Sequence, residues 1–188
     1  MKQLLVTVFL PLILFINHAT AFADQATHAK MYAVEWVAKV NSVTTDKDIV
    51  SIVETAFEHG IKHNIDPLLI LSLISVESTF NKKARNKSTA SGLMQVVPKW
   101  HRDKIKGRNI YAISVNLEVG SNILKNCLEK NSQKLNAAME CYSGGAGKPY
   151  LKKVSQTYKS LRRWIIENQF EHQLPIYYVS APYSNLTF

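Results

Sequence analysis

The chain has 188 residues, 46% of them hydrophobic, with three Trp, eight Tyr and seven Phe, which is enough for one packed domain and excludes a disordered chain. Its formal net charge of +9 implies attraction to a polyanion. The basic residues read as scattered, with Lys82, Lys83, Arg85 and Lys87 in one cluster and Arg162 and Arg163 in another. They serve equally as solvated faces or as a patch.

The first residues suggest a leader. Lys2 precedes an apolar run from Leu4 to Ile16, and Ala21-Phe22-Ala23 is a small-x-small cleavage site. The run is shorter than the roughly 20 residues a membrane-spanning helix needs. We therefore expect a signal peptide over 1–23, a single domain over 24–175 and a tail over 176–188. An exported protein meets anionic wall polymers before nucleic acid, so no nucleic-acid partner is expected. Export also makes a disulfide between Cys127 and Cys141 one reading, with two buried thiols as the other.

Helical periodicity dominates the rest of the chain. Met31, Val34, Val37 and Ala38 predict a helix over 27–40. Thr45 and Asp48 form a weak capping box for a second helix, which we expect to end near His59, before Gly60. Asp66 and Pro67 are a strong start signal for a third. Leu68 through Val76 make that helix apolar almost all round, hence buried, and it ends at Glu77.

Residues 78–99 are polar and predict a loop leading into a short helical element stopped by Pro98. Further helices are expected over 115–129 and 135–142; if they form a hairpin joined near Asn131, Cys127 and Cys141 could face each other across it. One or two more are expected over 149–171.

A carboxyl at the end of a greasy helix is chemically unusual. The negative end of the helix dipole and apolar surroundings both disfavour its ionisation. A carboxylic acid kept neutral near pH 7 can act as a general acid, which makes Glu77 the candidate catalytic residue. No second carboxylate is evidently partnered with it. His59 and His63 are spaced one helical turn apart, but without an HExxH pattern they read as surface histidines, and no metal is expected. Gly144 to Lys148 lacks the spacing of a phosphate loop.

Three motifs occur in order. Glu77-Ser78-Thr79-Phe80-Asn81 is followed by Ala84 and by Ala90-Ser91-Gly92-Leu93-Met94-Gln95, then by Asn116-Leu117-Glu118-Val119-Gly120, then by Cys141-Tyr142-Ser143-Gly144-Gly145. This set resembles the lytic transglycosylases of the soluble-transglycosylase (SLT) type, relatives of goose-type lysozyme, over roughly 49–152. The sequence departs from the family pattern at Asn86 (usually Ser), Thr89 (usually Gly) and Ser143 (usually Asn).

The resemblance implies a mainly α, lysozyme-like fold with a minor β or irregular segment near 82–95. It implies cleavage of peptidoglycan glycan strands between N-acetylmuramic acid and N-acetylglucosamine, without cofactor. Glu77 would protonate the glycosidic oxygen and then deprotonate the muramyl C6 hydroxyl, which closes an anhydro ring. Ser78, Met94 and Gln95 would line the sugar subsites, and Tyr142 would hydrogen-bond Glu77 or its surroundings; for Met94, core packing is an equal reading. Export by the signal peptide makes the periplasm the expected location, with a secreted or envelope-associated protein as the alternative; a monomer is expected, and the resemblance suggests service to a secretion, conjugation or pilus apparatus. A muramidase using the same Glu77, and a non-catalytic peptidoglycan-binding component of an envelope-spanning machine, are the alternatives.

Overall fold

The computed structural model describes residues 27–87 and 89–171. The expected leader over 1–23 and the tail over 176–188 lie outside the described residues. Within them the protein is mainly helical, with no strand longer than a single bridge.

Helix α1 runs through 27–40 and α2 spans Asp46–His63. The side chain of Thr45 caps α2 by accepting from the Asp48 amide at 3.3 Å. The helix does not stop before Gly60. It passes through it, because a Cβ there would meet Cγ of Pro67 at 2.7 Å and the Ile65 carbonyl at 2.8 Å. Gly60 is thus a close-approach residue between α2 and the start of α3, and not a breaker.

The continuation carries His59 inward as well. It is buried, contrary to the surface reading, and its ring stacks on that of His63 with centroids 5.7 Å apart. Desolvation lowers the pKa of both rings, which favours their neutral forms. Among the described residues no group of three or more His, Cys, Asp or Glu side chains could hold a metal ion.

Helix α3, Pro67–Ser78, is the centre of the molecule, with Pro67 to Ile74 all buried. Asp66 caps it, accepting from the Leu68 amide at 2.8 Å. Its largest helix contact is with α7, Gly147–Glu171, a single helix where the sequence allowed two. Two tyrosines of α7 clasp the ends of α3: Tyr158 donates to Asp66 at 2.5 Å and Tyr150 donates to Glu77 at 2.6 Å. The two helices therefore run antiparallel, with the start of α7 beside the end of α3.

Between α3 and the later helices lies the expected irregular segment, pinned by isolated bridges between Arg85 and Ser91 and between Ser91 and Val96. Pro98 does not stop a helical element. It opens a 3-10 turn, Pro98–Trp100, because its fixed φ suits the first helical position. A one-turn helix α4, Arg102–Ile105, comes next. Val96, Ile105 and Val119 form a small second core under this segment.

Helices α5, Ile113–Lys130, and α6, Leu135–Tyr142, form the expected hairpin. Cys127 and Cys141 join across it in a disulfide, with Cα atoms 5.7 Å apart. No helix of the described residues is long and apolar enough to cross a membrane.

Candidate active site

Glu77 is half-buried in the last turn of α3. The backbone leaves the helix through two consecutive left-handed residues, Thr79 (φ 49°) and Phe80 (φ 62°). Neither is glycine, so this exit is strained and must be held by its surroundings. Phe80 is buried and meets Trp36 edge to face, with centroids 6.3 Å apart, while its carbonyl accepts from Thr44 Oγ1 at 2.7 Å. The anchored turn fixes where the end of α3, and so the Glu77 carboxyl, points.

Burial pushes the Glu77 pKa above its ordinary value of 4.5, and the hydrogen bond from Tyr150 opposes that in part. The C-terminal end of the α3 dipole acts in the same direction as burial. No other ionised side chain contributes to the shift, so among the described residues no second carboxylate and no cation bears on this acid. Tyr150 Oη donates to Oε1. When Glu77 is neutral, Oε1 accepts as the carbonyl oxygen, and the acid proton is left on Oε2 to be given away.

The loop carrying Ala90 to Gln95 is built onto α5. The side chain of Asn116, buried at 1% exposure, accepts from the Met94 amide at 2.8 Å. It also donates to the carbonyls of Ser91 and Ile110, both at 2.9 Å. Gly92 has φ 77° and touches this amide so closely that a Cβ would sit 2.2 Å from Asn116 Nδ2. Gly120, one turn along α5, leaves room for Met94, whose Sδ would lie 2.5 Å from a Cβ there. The Ala90 to Gln95 stretch and the Asn116 to Gly120 motif are therefore two halves of one contact between loop and helix.

Met94 points into that contact and is buried, so its side chain packs in the core. Its carbonyl accepts from Tyr142 Oη at 2.9 Å. Tyr142 therefore binds the loop, although it is near enough for the charge of Glu77 to raise its pKa, after burial. Ser78 is buried and donates to the Ile74 carbonyl at 3.0 Å, back along its own helix.

Gln95 has φ 46°, and its amide nitrogen donates to the Gly92 carbonyl at 2.9 Å and the Ala84 carbonyl at 3.3 Å. Both amide protons are used, which leaves the oxygen for a ligand. Ser143 turns the chain into α7, accepting from the Ala146 amide at 3.2 Å and donating to the Glu140 carbonyl at 3.3 Å.

The hydroxyl on Glu77 comes from Tyr150, which the sequence marks only as an apolar position of the last helix. Its place one turn into α7 is a weak signal. Only the antiparallel packing of α7 on α3 turns it into a partner 73 residues away. We expect Tyr150→Phe to move the alkaline limb of the pH–rate profile to higher pH. The lost hydroxyl stabilised the carboxylate, so without it Glu77 holds its proton to higher pH. The rate at the optimum should fall about tenfold, since the Glu77 carboxyl is no longer oriented.

The site so described joins a desolvated acid, held by Tyr150, to a loop braced by the buried Asn116. A family model described as the transglycosylase SLT domain matches residues 54–165, and the chain belongs to this family.

The chain is similar to the membrane-bound lytic murein transglycosylase C of Photorhabdus laumondii subsp. laumondii. They are 30% identical over 154 residues, which covers 69% of this chain and 43% of the relative. It is also similar to the protein of the same description from Pectobacterium atrosepticum, 35% identical over 103 residues, covering 46% of this chain and 29% of that one. The chain thus spans less than half the length of these curated relatives. Among solved structures, an inactive mutant of the lytic transglycosylase Slt from Pseudomonas aeruginosa aligns with a TM-score of 0.48 at 14% identity, over 65% of this chain and 24% of that one.

Proposed function

We propose that this chain is a peptidoglycan lytic transglycosylase that uses Glu77 as both acid and base. The single observation that carries the reading is the setting of Glu77: a carboxyl with a raised pKa, a tyrosine on one oxygen and, among the described residues, no second ionised group bearing on it. Most glycosidases that use water or an enzyme nucleophile employ a second carboxylate. A site with one acid suits a reaction whose nucleophile belongs to the substrate.

In that reaction Oε2 of Glu77 gives its proton to the oxygen linking N-acetylmuramic acid to N-acetylglucosamine. The bond from the muramyl anomeric carbon to that oxygen breaks, and the neighbouring N-acetyl group stabilises the positive charge. The Glu77 carboxylate then takes the proton of the muramyl C6 hydroxyl as this oxygen bonds to the anomeric carbon. The acid is restored, a 1,6-anhydro ring closes and no water is consumed. Tyr150 holds Oε1 throughout as a positioning residue.

The amide oxygen of Gln95 is the group best placed for a sugar hydroxyl or N-acetyl donor. Ser78, Met94 and Tyr142 serve the subsites through the backbone they set.

Export through a leader over 1–23 would put the chain in the periplasm, where its substrate is. The membrane-bound murein transglycosylases it resembles support an envelope location. We propose that it acts there as a monomer without cofactor, opening the wall locally for a secretion, conjugation or pilus apparatus. The test is digestion of purified sacculi by the chain from Asp24 onward. Release of soluble muropeptides ending in anhydro-muramic acid is the expected result, and binding to sacculi with no release would overturn the reading.

A further inference from the structure

The chain's charge is concentrated rather than scattered. Residues 82–108 hold nine lysines and arginines against one acid, Asp103, and so carry +8 of the chain's formal +9. Local ion pairing accounts for a minority of these cations: Lys82 pairs with Asp48, Lys104 with Asp103 and Arg108 with Glu118. Arg85, Lys99 and Arg102 have no ion pair among the described residues, and all three are exposed.

These three cations line one open groove of about 680 Å³ whose floor is apolar, from Ile105 and Ile110, and whose wall includes the Tyr111 ring. That is the size of a small-ligand site. Glu77, Tyr142 and Tyr150 do not line it, so it is distinct from the acid centre. It is nevertheless built on the same loop. Ser91 lines the groove, and its amide donates to the Val96 carbonyl at 2.8 Å while the Val96 amide donates back at 3.1 Å, closing the turn that presents Gln95.

We propose that this groove is a subsite for the acidic peptide stem attached to the muramyl residue of the glycan, which would make stem-bearing strands the preferred substrate. This rests on the reading that peptidoglycan is what the chain acts on. The chemistry matches in three respects. A stem peptide is short and carries several free carboxylates, for which two guanidinium groups and an ammonium are the natural partners. Its alkyl side chains suit an apolar floor. It is covalently tied to the sugar strand, so a groove sharing a loop with the glycan site is where it would be met. A membrane surface or a nucleic acid would call for an extended basic face, whereas these cations converge on one cavity.

The test titrates the full mature chain with free stem tetrapeptide, released from sacculi by an amidase, and with the same peptide after its carboxylates are amidated. Saturable binding of the free peptide is expected, weakened about tenfold or more by the triple substitution Arg85→Gln, Lys99→Gln and Arg102→Gln, and absent for the amidated peptide. The melting temperature should be retained, since the three side chains are exposed. In digestion assays the same variant should lose about tenfold in its preference for stem-bearing over stem-stripped glycan.

Equal affinity of variant and wild type for the peptide, or no binding by the wild type, would overturn the proposal. So would tighter binding to phosphatidylglycerol vesicles or duplex DNA that the same substitutions abolish. Peptide binding by a chain that cuts no glycan would leave the subsite standing and remove the transglycosylase reading, so the two can fail separately.

Discussion

Glu77→Gln should lower the rate of glycan cleavage by on the order of 10² to 10⁴, the range for loss of a general acid, while leaving a folded protein that still binds sacculi. The same substitution should raise thermal stability at neutral pH. Burial raises the pKa of Glu77 in the folded chain above its ordinary 4.5. Between the unfolded and folded values the unfolded chain binds fewer protons, so native stability is lost as pH rises through that window. The glutamine copy has no such loss and can still accept from Tyr150. Its advantage in melting temperature should therefore appear at pH 7 and vanish in acid below the ordinary carboxyl range. A variant inactive but no more stable at pH 7 would mean that Glu77 is not held under desolvation. The stability gained where activity is lost is the usual signature of a strained catalytic group.

Asn116→Ala is the second large effect, and it acts on both stability and activity. It leaves the Met94 amide and the Ile110 carbonyl without their partner, while the Ser91 carbonyl keeps only the Val96 amide. Stranding buried groups of this kind costs about 1–3 kcal/mol each where water cannot reach them, so about 2 kcal/mol or more is expected for the two. For a domain of this size that is a fall of roughly 4–8 °C in melting temperature. Sacculus digestion should fall further than the folded fraction does, because the Gly92–Gln95 loop loses its register against α5. The check is a thermal melt together with a digestion assay well below the transition. An unchanged melt would contradict the role given to Asn116, and full activity in a destabilised variant would separate the loop from the chemistry.

What could be read in the sequence was what is local. Asp66 and Pro67 state where α3 begins because a cap and a first-turn proline act within three residues. Its run of leucines and isoleucines states that it is buried, which accounts for the unusual setting of Glu77. The order of the motifs led to the family. What escaped was set by packing between distant segments. Gly60 looks like a stop until Pro67 is seen against it. His59 looks solvated until the extended α2 carries it inside. Pro98 could equally end one element or begin the next.

Met94 shows the same limit, since its motif position suggests a ligand contact while the gap at Gly120 draws it inward. The motif position of Tyr142 suggests Glu77 or its surroundings as its partner; its hydroxyl serves the Met94 carbonyl, and Tyr150 reaches the acid. The concentration of charge over 82–108 is countable in the sequence. It gains meaning only because three of those cations surround one groove.

The central claim is that a single acid cuts the glycan with the substrate's own hydroxyl as nucleophile. Digestion of purified sacculi in heavy-oxygen water, with the released muropeptides weighed by mass spectrometry, tests it most directly. The account predicts products lighter by one water than their hydrolysed counterparts and carrying no heavy oxygen, with none released by Glu77→Gln. Products with a reducing end bearing the solvent's oxygen would contradict it and make the protein a muramidase.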